Sequence, residues 1–129
     1  MTDKDFDKLF KKRKAQSIYF DNWNCSKLEI ELFTNWFNQL GEEEVCKYLK
    51  EDPTILLVIS NQTDKMCETA VKTFPWSIKC LKNQTVDLCI YALDNVRYTW
   101  RYVRITPNPD YETTLKNLKE KKDILEALK

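Results

Sequence analysis

Asn61-Gln62-Thr63-Asp64-Lys65-Met66-Cys67 returns 22 residues later as Asn83-Gln84-Thr85-Val86-Asp87-Leu88-Cys89. The similarity continues past these stretches, because Ala70 is matched by Ala92 and Trp76 by Tyr98. An earlier and weaker copy runs from Glu44 to Ile59. A fixed short period is typical of stacked supersecondary units, none of which can bury its apolar face alone.

The sequence therefore predicts an all-α fold, in which each repeat is a short helical hairpin. Thr63 is predicted to be the N-cap of a first helix, and Pro75 to separate it from a shorter helix that runs to Lys82. A flanking N-terminal helix should end at Gly41, the single glycine of the chain, acting as its C-cap. A C-terminal helix rich in Lys and Glu is expected to cap the array.

An α+β fold is the alternative, because residues 54–60 and 98–106 are rich in β-branched and aromatic side chains that favour strands. The matching segment of the middle repeat, residues 76–82, has weak strand character. Since equivalent repeats should share one conformation, we favour the helical interpretation.

Length and charge limit the organisation of the chain. Its 129 residues predict a charged N-terminal arm or short helix at 1–16 and a single helical-repeat domain at 17–129. The net charge of +1 gives no global attraction to nucleic acid. No apolar signal or spanning segment is visible, so we expect a cytoplasmic protein without a membrane partner.

The residues of common enzyme sites are largely missing. The chain has no histidine, and its five cysteines are spaced 21, 21, 13 and 9 residues apart, unlike a zinc site. Cys46, Cys67 and Cys89 occupy equivalent repeat positions and should be small apolar residues of a helix interface. The sequence thus predicts a protein that is not an enzyme and has no catalytic residue, metal or cofactor.

Basic and aromatic residues cluster in two places that are candidate binding sites. The stretch 97–104 reads RYTWRYVR, and a helix would place its three arginines on one face. Arginine and tyrosine are enriched at protein-binding hot spots, and they also bind nucleic acids. With lysines at the equivalent positions one repeat earlier and the basic N-terminal run, the candidate binding residues are Arg97, Tyr98, Arg101, Tyr102, Arg104, Lys79, Lys82, Lys11, Lys12, Arg13 and Lys14.

The repeat motif is a polar turn, then an acidic residue, an aliphatic residue, Cys, two residues, Ala and an aliphatic residue, with an aromatic second half. This motif resembles the short helical repeats of the DUF4116 type, which occur in bacterial, phage and giant-virus proteins. The resemblance covers residues 40–105 and departs at Leu49 and Lys50, where Ala and an aliphatic residue are expected. It implies an all-helical scaffold of small accessory proteins and brings no catalytic residue.

Three functions follow as hypotheses. The first is a protein-interaction module, a phage or mobile-element accessory protein that binds a host protein or ribonucleoprotein complex and inhibits a host-defence system such as a CRISPR effector. The second is a nucleic-acid-binding protein that uses the Arg/Tyr patch and the basic arm. The third is a structural subunit of a larger assembly, held by exposed aromatics such as Trp23 or Trp36.

Overall fold

The computed structural model describes residues 4, 5, 7, 8, 27–106 and 109–129. Every regular element in these ranges is a helix, so the all-α prediction is confirmed. Residues 4, 5, 7 and 8 are helical, and the Tyr48 hydroxyl donates a hydrogen bond of 2.6 Å to the Asp7 carboxylate. From residue 27 onward the elements are α1 Lys27–Gln39, α2 Glu42–Leu49, η1 Pro53–Val58, α3 Asp64–Thr73, η2 Pro75–Cys80, α4 Val86–Asn95, η3 Arg97–Tyr102 and α5 Tyr111–Ala127, where η denotes a 3-10 helix.

The strand alternative is wrong at both of its segments. Residues 54–60 fall largely within η1 and residues 98–106 largely within η3. Strands would need neighbouring strands to satisfy their backbone groups, whereas each 3-10 helix bonds to itself and its apolar side chains turn into the core. Ile55 and Leu56 are fully buried there.

Each repeat consists of an α-helix followed by a six-residue 3-10 helix. The Thr63 hydroxyl accepts a hydrogen bond from Met66 N, and the Thr85 hydroxyl accepts one from Leu88 N, so both threonines are N-caps. The predicted break at Pro75 is confirmed, because α3 ends at Thr73. The second half of each repeat, predicted as a shorter helix, is a 3-10 helix.

The helices form two layers with the core between them. Helices α2, α3 and α4 pack side by side, and η1, η2 and η3 do the same. Helix α5 packs against α4 and η3 at one end of the stack, where the C-terminal capping helix was predicted. One continuous set of buried side chains joins the layers and includes Phe33, Phe37, Val45, Leu49, Ile55, Leu56, Ala70, Val71, Ile78, Leu81, Cys89, Ala92, Leu93 and Leu118.

The predicted burial of the repeat cysteines agrees with the structure, whereas the predicted role of Gly41 does not. Cys46, Cys67 and Cys89 are all buried and free, as their repeat positions predict. Gly41 has φ −72° and ψ 162° and is the N-cap of α2, so its prediction as a left-handed C-cap is wrong. Because this conformation suits any residue, the glycine is not required by the backbone.

Candidate binding surface on the 3-10 layer

The Asn-Gln-Thr motif holds neighbouring repeats together through its glutamine. Gln62 Nε2 donates to Leu56 O at 2.9 Å and to Cys80 O at 3.1 Å, while its Oε1 accepts from Lys82 N at 2.8 Å. One glutamine side chain therefore joins the end of η1 to the end of η2. It satisfies backbone groups that a short 3-10 helix leaves without partners.

Gln84 makes the same three bonds one repeat later. Its Nε2 donates to Ile78 O at 3.0 Å and to Tyr102 O at 2.7 Å, and its Oε1 accepts from Arg104 N at 2.7 Å. At the first repeat Asn38 of α1 takes part of this role, bonding Val58 O and Ser60 N at 2.9 Å each. These amide clamps, made by Asn38, Gln62 and Gln84, fix where each 3-10 helix ends.

Two of the predicted binding cations serve the same structural purpose. Lys82 Nζ donates to Ile59 O at 2.8 Å and to Ser60 O at 3.0 Å. The Arg104 guanidinium donates to Lys79 O at 3.2 Å and also to Leu81 O. Both side chains thus bond carbonyls of the preceding repeat, and their charged groups hold the stack together.

Three other cations lie against aromatic rings. Lys79 Nζ is 5.0 Å from the centroid of the Trp76 ring and 4.9 Å from that of Tyr102, so it sits between two rings. The Tyr102 ring in turn meets Tyr98 edge to face at 6.2 Å. Cation–π contacts of this kind hold a flexible side chain in place.

The arginines of η3 are placed in a similar way. The Arg97 guanidinium carbon is 4.6 Å from the Tyr111 ring centroid, and that of Arg101 is 5.6 Å from the centroid of Trp100. Both arginines are exposed, as is Tyr98 at 49%. The prediction that Arg104 shares a helical face with them is wrong, because η3 ends at Tyr102 and Arg104 turns toward the preceding repeat.

The 3-10 layer, defined as residues 53–60, 75–82 and 97–104, contains no aspartate or glutamate. Its three segments have net charges of 0, +2 and +3 along the chain. Helices α2, α3 and α4 have net charges of −2, 0 and −2. The fold therefore separates charge into a basic 3-10 layer and an acidic α layer.

Together, Lys79, Arg97, Arg101, Tyr98 and Tyr102 form a basic aromatic patch at the η3 end of this layer. The predicted cations Lys11, Lys12, Arg13 and Lys14 lie outside the described residues, as does Trp23. Trp36, expected to be exposed in an assembly subunit, is partly buried against the core.

The sequence does not predict the contact of the Tyr111 ring on α5 with Arg97, or the hydrogen bonds by which Gln62 and Gln84 join neighbouring repeats. The repeated Asn-Gln-Thr motif was the available signal for the glutamines. From the sequence alone, this motif predicts only turns and caps.

Cys67 and Cys89 are not poised for nucleophilic chemistry. Burial raises the pKa of the Cys89 thiol to about 11, and burial followed by the nearby Asp64 carboxylate raises that of Cys67. A neutral buried thiol is a poor nucleophile at physiological pH. In the described ranges no group of three or more Cys, Asp or Glu side chains is arranged to hold a metal ion.

Comparison of the chain with known protein families, with curated proteins and with solved structures found no significant match. The similarity to DUF4116-type repeats stays a prediction. Within the part of the chain that the structure describes, no helix is long and apolar enough to cross a bilayer.

Proposed function

We propose that this protein is a non-enzymatic interaction module that binds an acidic surface of another protein through the basic aromatic patch. The observation that carries the proposal is the 3-10 layer without acidic residues, in which three cations are fixed by aromatic rings. A partner with clustered carboxylates would meet complementary charge at residues 75–82 and 97–104, which have net charges of +2 and +3.

The contacts around the cations support binding because they reduce its entropic cost. Long basic side chains lose rotamer freedom when they are ordered at an interface. Lys79, Arg97 and Arg101 already rest on rings, so part of that ordering precedes association. Arginine, tyrosine and tryptophan are also the residue types that dominate binding energy at protein interfaces.

A protein partner is favoured over nucleic acid by what covers the rings. Binding of single strands uses exposed ring faces on which bases stack. Here Lys79 lies over both Trp76 and Tyr102, while Lys82 and Arg104 bond to backbone carbonyls. Tyr98 is the exposed ring that favours the nucleic-acid alternative.

The test is affinity capture from a nuclease-treated bacterial lysate with the wild-type chain and a Lys79→Glu, Arg97→Glu, Arg101→Glu variant. A control with the same charge change elsewhere carries Lys50→Glu, Lys116→Glu and Lys119→Glu, three exposed positions outside the patch. We expect a protein that is retained by the wild type and the control and lost by the patch variant. Equal retention by all three chains would contradict the proposal.

The nucleic-acid alternative makes a different prediction. Three phosphate contacts with a single strand give a slope of log affinity against log salt of about −2. Recovery of nucleic acid alone, abolished by nuclease, would favour that function.

We propose a host-defence complex such as a CRISPR effector as the target to test first, because the DUF4116-type repeats that the chain resembles occur in bacterial, phage and giant-virus accessory proteins. Addition of the purified protein should then inhibit the effector, and the patch variant should not. An effector left fully active by the wild type would exclude this target while leaving the interaction module itself open to the capture experiment.

A further inference from the structure

The acidic layer contains an open groove of ≈ 520 Å³ between α3 and α4. Its walls include three carboxylates, one lysine, and the side chains of a leucine and a tyrosine, namely Asp64, Glu68, Asp87, Lys72, Leu88 and Tyr91. A groove of this volume falls within the usual range of sites for small ligands.

The ion pairing between α3 and α4 differs from that between α2 and α3. Lys65 of α3 pairs with Glu43 of α2, a residue 22 positions earlier. One repeat later, the positions of Glu43 and Lys65 are occupied by Lys65 and Asp87. Lys65 already bonds to Glu43, and the Asp87 carboxylate lies 3.4 Å from Lys122 Nζ on α5. The equivalent bridge between α3 and α4 is therefore not formed at this position.

The charges along the groove leave a surplus of carboxylate. Lys72 Nζ neutralises Glu68 at 2.8 Å, and the contact of Asp87 with Lys122 is exposed and hence weak. Asp64 stands in the first turn of α3, exposed at the groove. Beside these carboxylates the half-buried Tyr91 presents an aromatic wall. Carboxylates next to an aromatic ring are the chemistry that recognises a guanidinium group.

We propose that the α3–α4 groove binds an arginine side chain of an extended basic segment in a partner protein. Charge complementarity selects the occupant, because the groove carries three carboxylates and one lysine. The site is opposite in charge to the basic aromatic patch and lies on the other layer. It does not depend on the function proposed for that patch, and a protein with both sites would bridge an acidic and a basic partner.

The test is an NMR titration in which the peptide acetyl-Gly-Arg-Gly-Arg-Gly-amide is added to the full chain and the backbone amide shifts of the protein are recorded. We expect saturable shifts confined to the N-terminal turns of α3 and α4 and to Tyr91, and no saturable shift with the Glu analogue of the peptide. Asp64→Asn with Asp87→Asn should weaken binding by about tenfold or more, because charged hydrogen bonds to the guanidinium are lost. The control double variant, Asp94→Asn with Glu112→Gln, makes the same charge change outside the groove and should leave the affinity for the peptide unchanged.

A second pair of variants keeps the proposal testable if the double aspartate variant folds poorly. Tyr91→Phe retains the ring and should bind the peptide as the wild type does, whereas Tyr91→Leu removes the ring and should bind several-fold more weakly. The proposal is overturned if the arginine peptide causes no saturable shift, or if it shifts amides outside the groove. It is also overturned if the groove double variant and the control double variant weaken peptide binding equally. Groove amides that shift with protein concentration alone would indicate a second copy as the occupant and would overturn it as well.

Discussion

The amide clamp of Gln84 should be one of the largest single contributions to stability outside the apolar core. Replacing Gln84 by Ala removes its bonds to Ile78 O, Tyr102 O and Arg104 N. Each hydrogen bond contributes about 0.5–1.5 kcal/mol net, so losing three should lower the free energy of unfolding by about 2–4 kcal/mol. Water can reach this partly buried site, which keeps the loss below the penalty for fully buried groups.

Urea denaturation followed by circular dichroism would measure the change. The control is Asn83→Ala, an exposed neighbour for which we expect a change within about 0.5 kcal/mol. Gln62→Ala should match Gln84→Ala, because both side chains bond the same three backbone positions of successive repeats. A Gln84→Ala loss no larger than that of Asn83→Ala would refute the clamp.

Three further predictions concern the core and pH. Leu56→Ala should lower the free energy of unfolding by about 2–5 kcal/mol and Leu57→Ala by far less, because Leu56 is fully buried and Leu57 is 47% exposed; denaturation of both variants checks this. Hydrogen bonds from the backbone and then the side chain of Thr113 hold the pKa of Asp110 below its usual value. Stability from this group is therefore present above about pH 4 and lost as the pH falls, and Asp110→Asn, which keeps the N-cap, should flatten the acid limb of urea midpoints. Burial raises the pKa of the Cys89 thiol to about 11, so the free energy of unfolding should decline as the pH rises above about 9, and it should decline less in Cys89→Ala. For the same reason iodoacetamide should modify this thiol only after unfolding.

Local sequence was enough to predict the helices that begin at strong caps. Thr63 precedes apolar positions at helical spacing and is the N-cap that the sequence predicts, and Thr85 has the same role one repeat later. A side chain that bonds a backbone group two or three residues away needs no tertiary partner, so its role can be inferred from neighbouring residues alone.

The candidate site was only partly predictable. The basic and aromatic content of residues 97–104 is visible in the sequence, and Arg97 and Arg101 do lie exposed beside rings. Arg104 and Lys82 could not be separated from them, because both bond to carbonyls more than 20 residues away. A cation on a surface and a cation that joins two repeats have the same local sequence.

The sequence by itself determined the period of 22 residues and the small residues at equivalent positions, because one motif recurs at that distance, and it favoured the all-helical class over the α+β alternative. Only the tertiary structure decided that the second half of each repeat is a 3-10 helix, that Gly41 is the N-cap of α2, and that charge divides between two layers. The hydrogen bonds of a 3-10 helix span one residue fewer than those of an α-helix, and in a segment of six residues the local sequence does not distinguish the two. Gln62 and Gln84 bond the last carbonyls of η2 and η3, 18 residues further along the chain, and these long-range bonds are visible only in the folded structure.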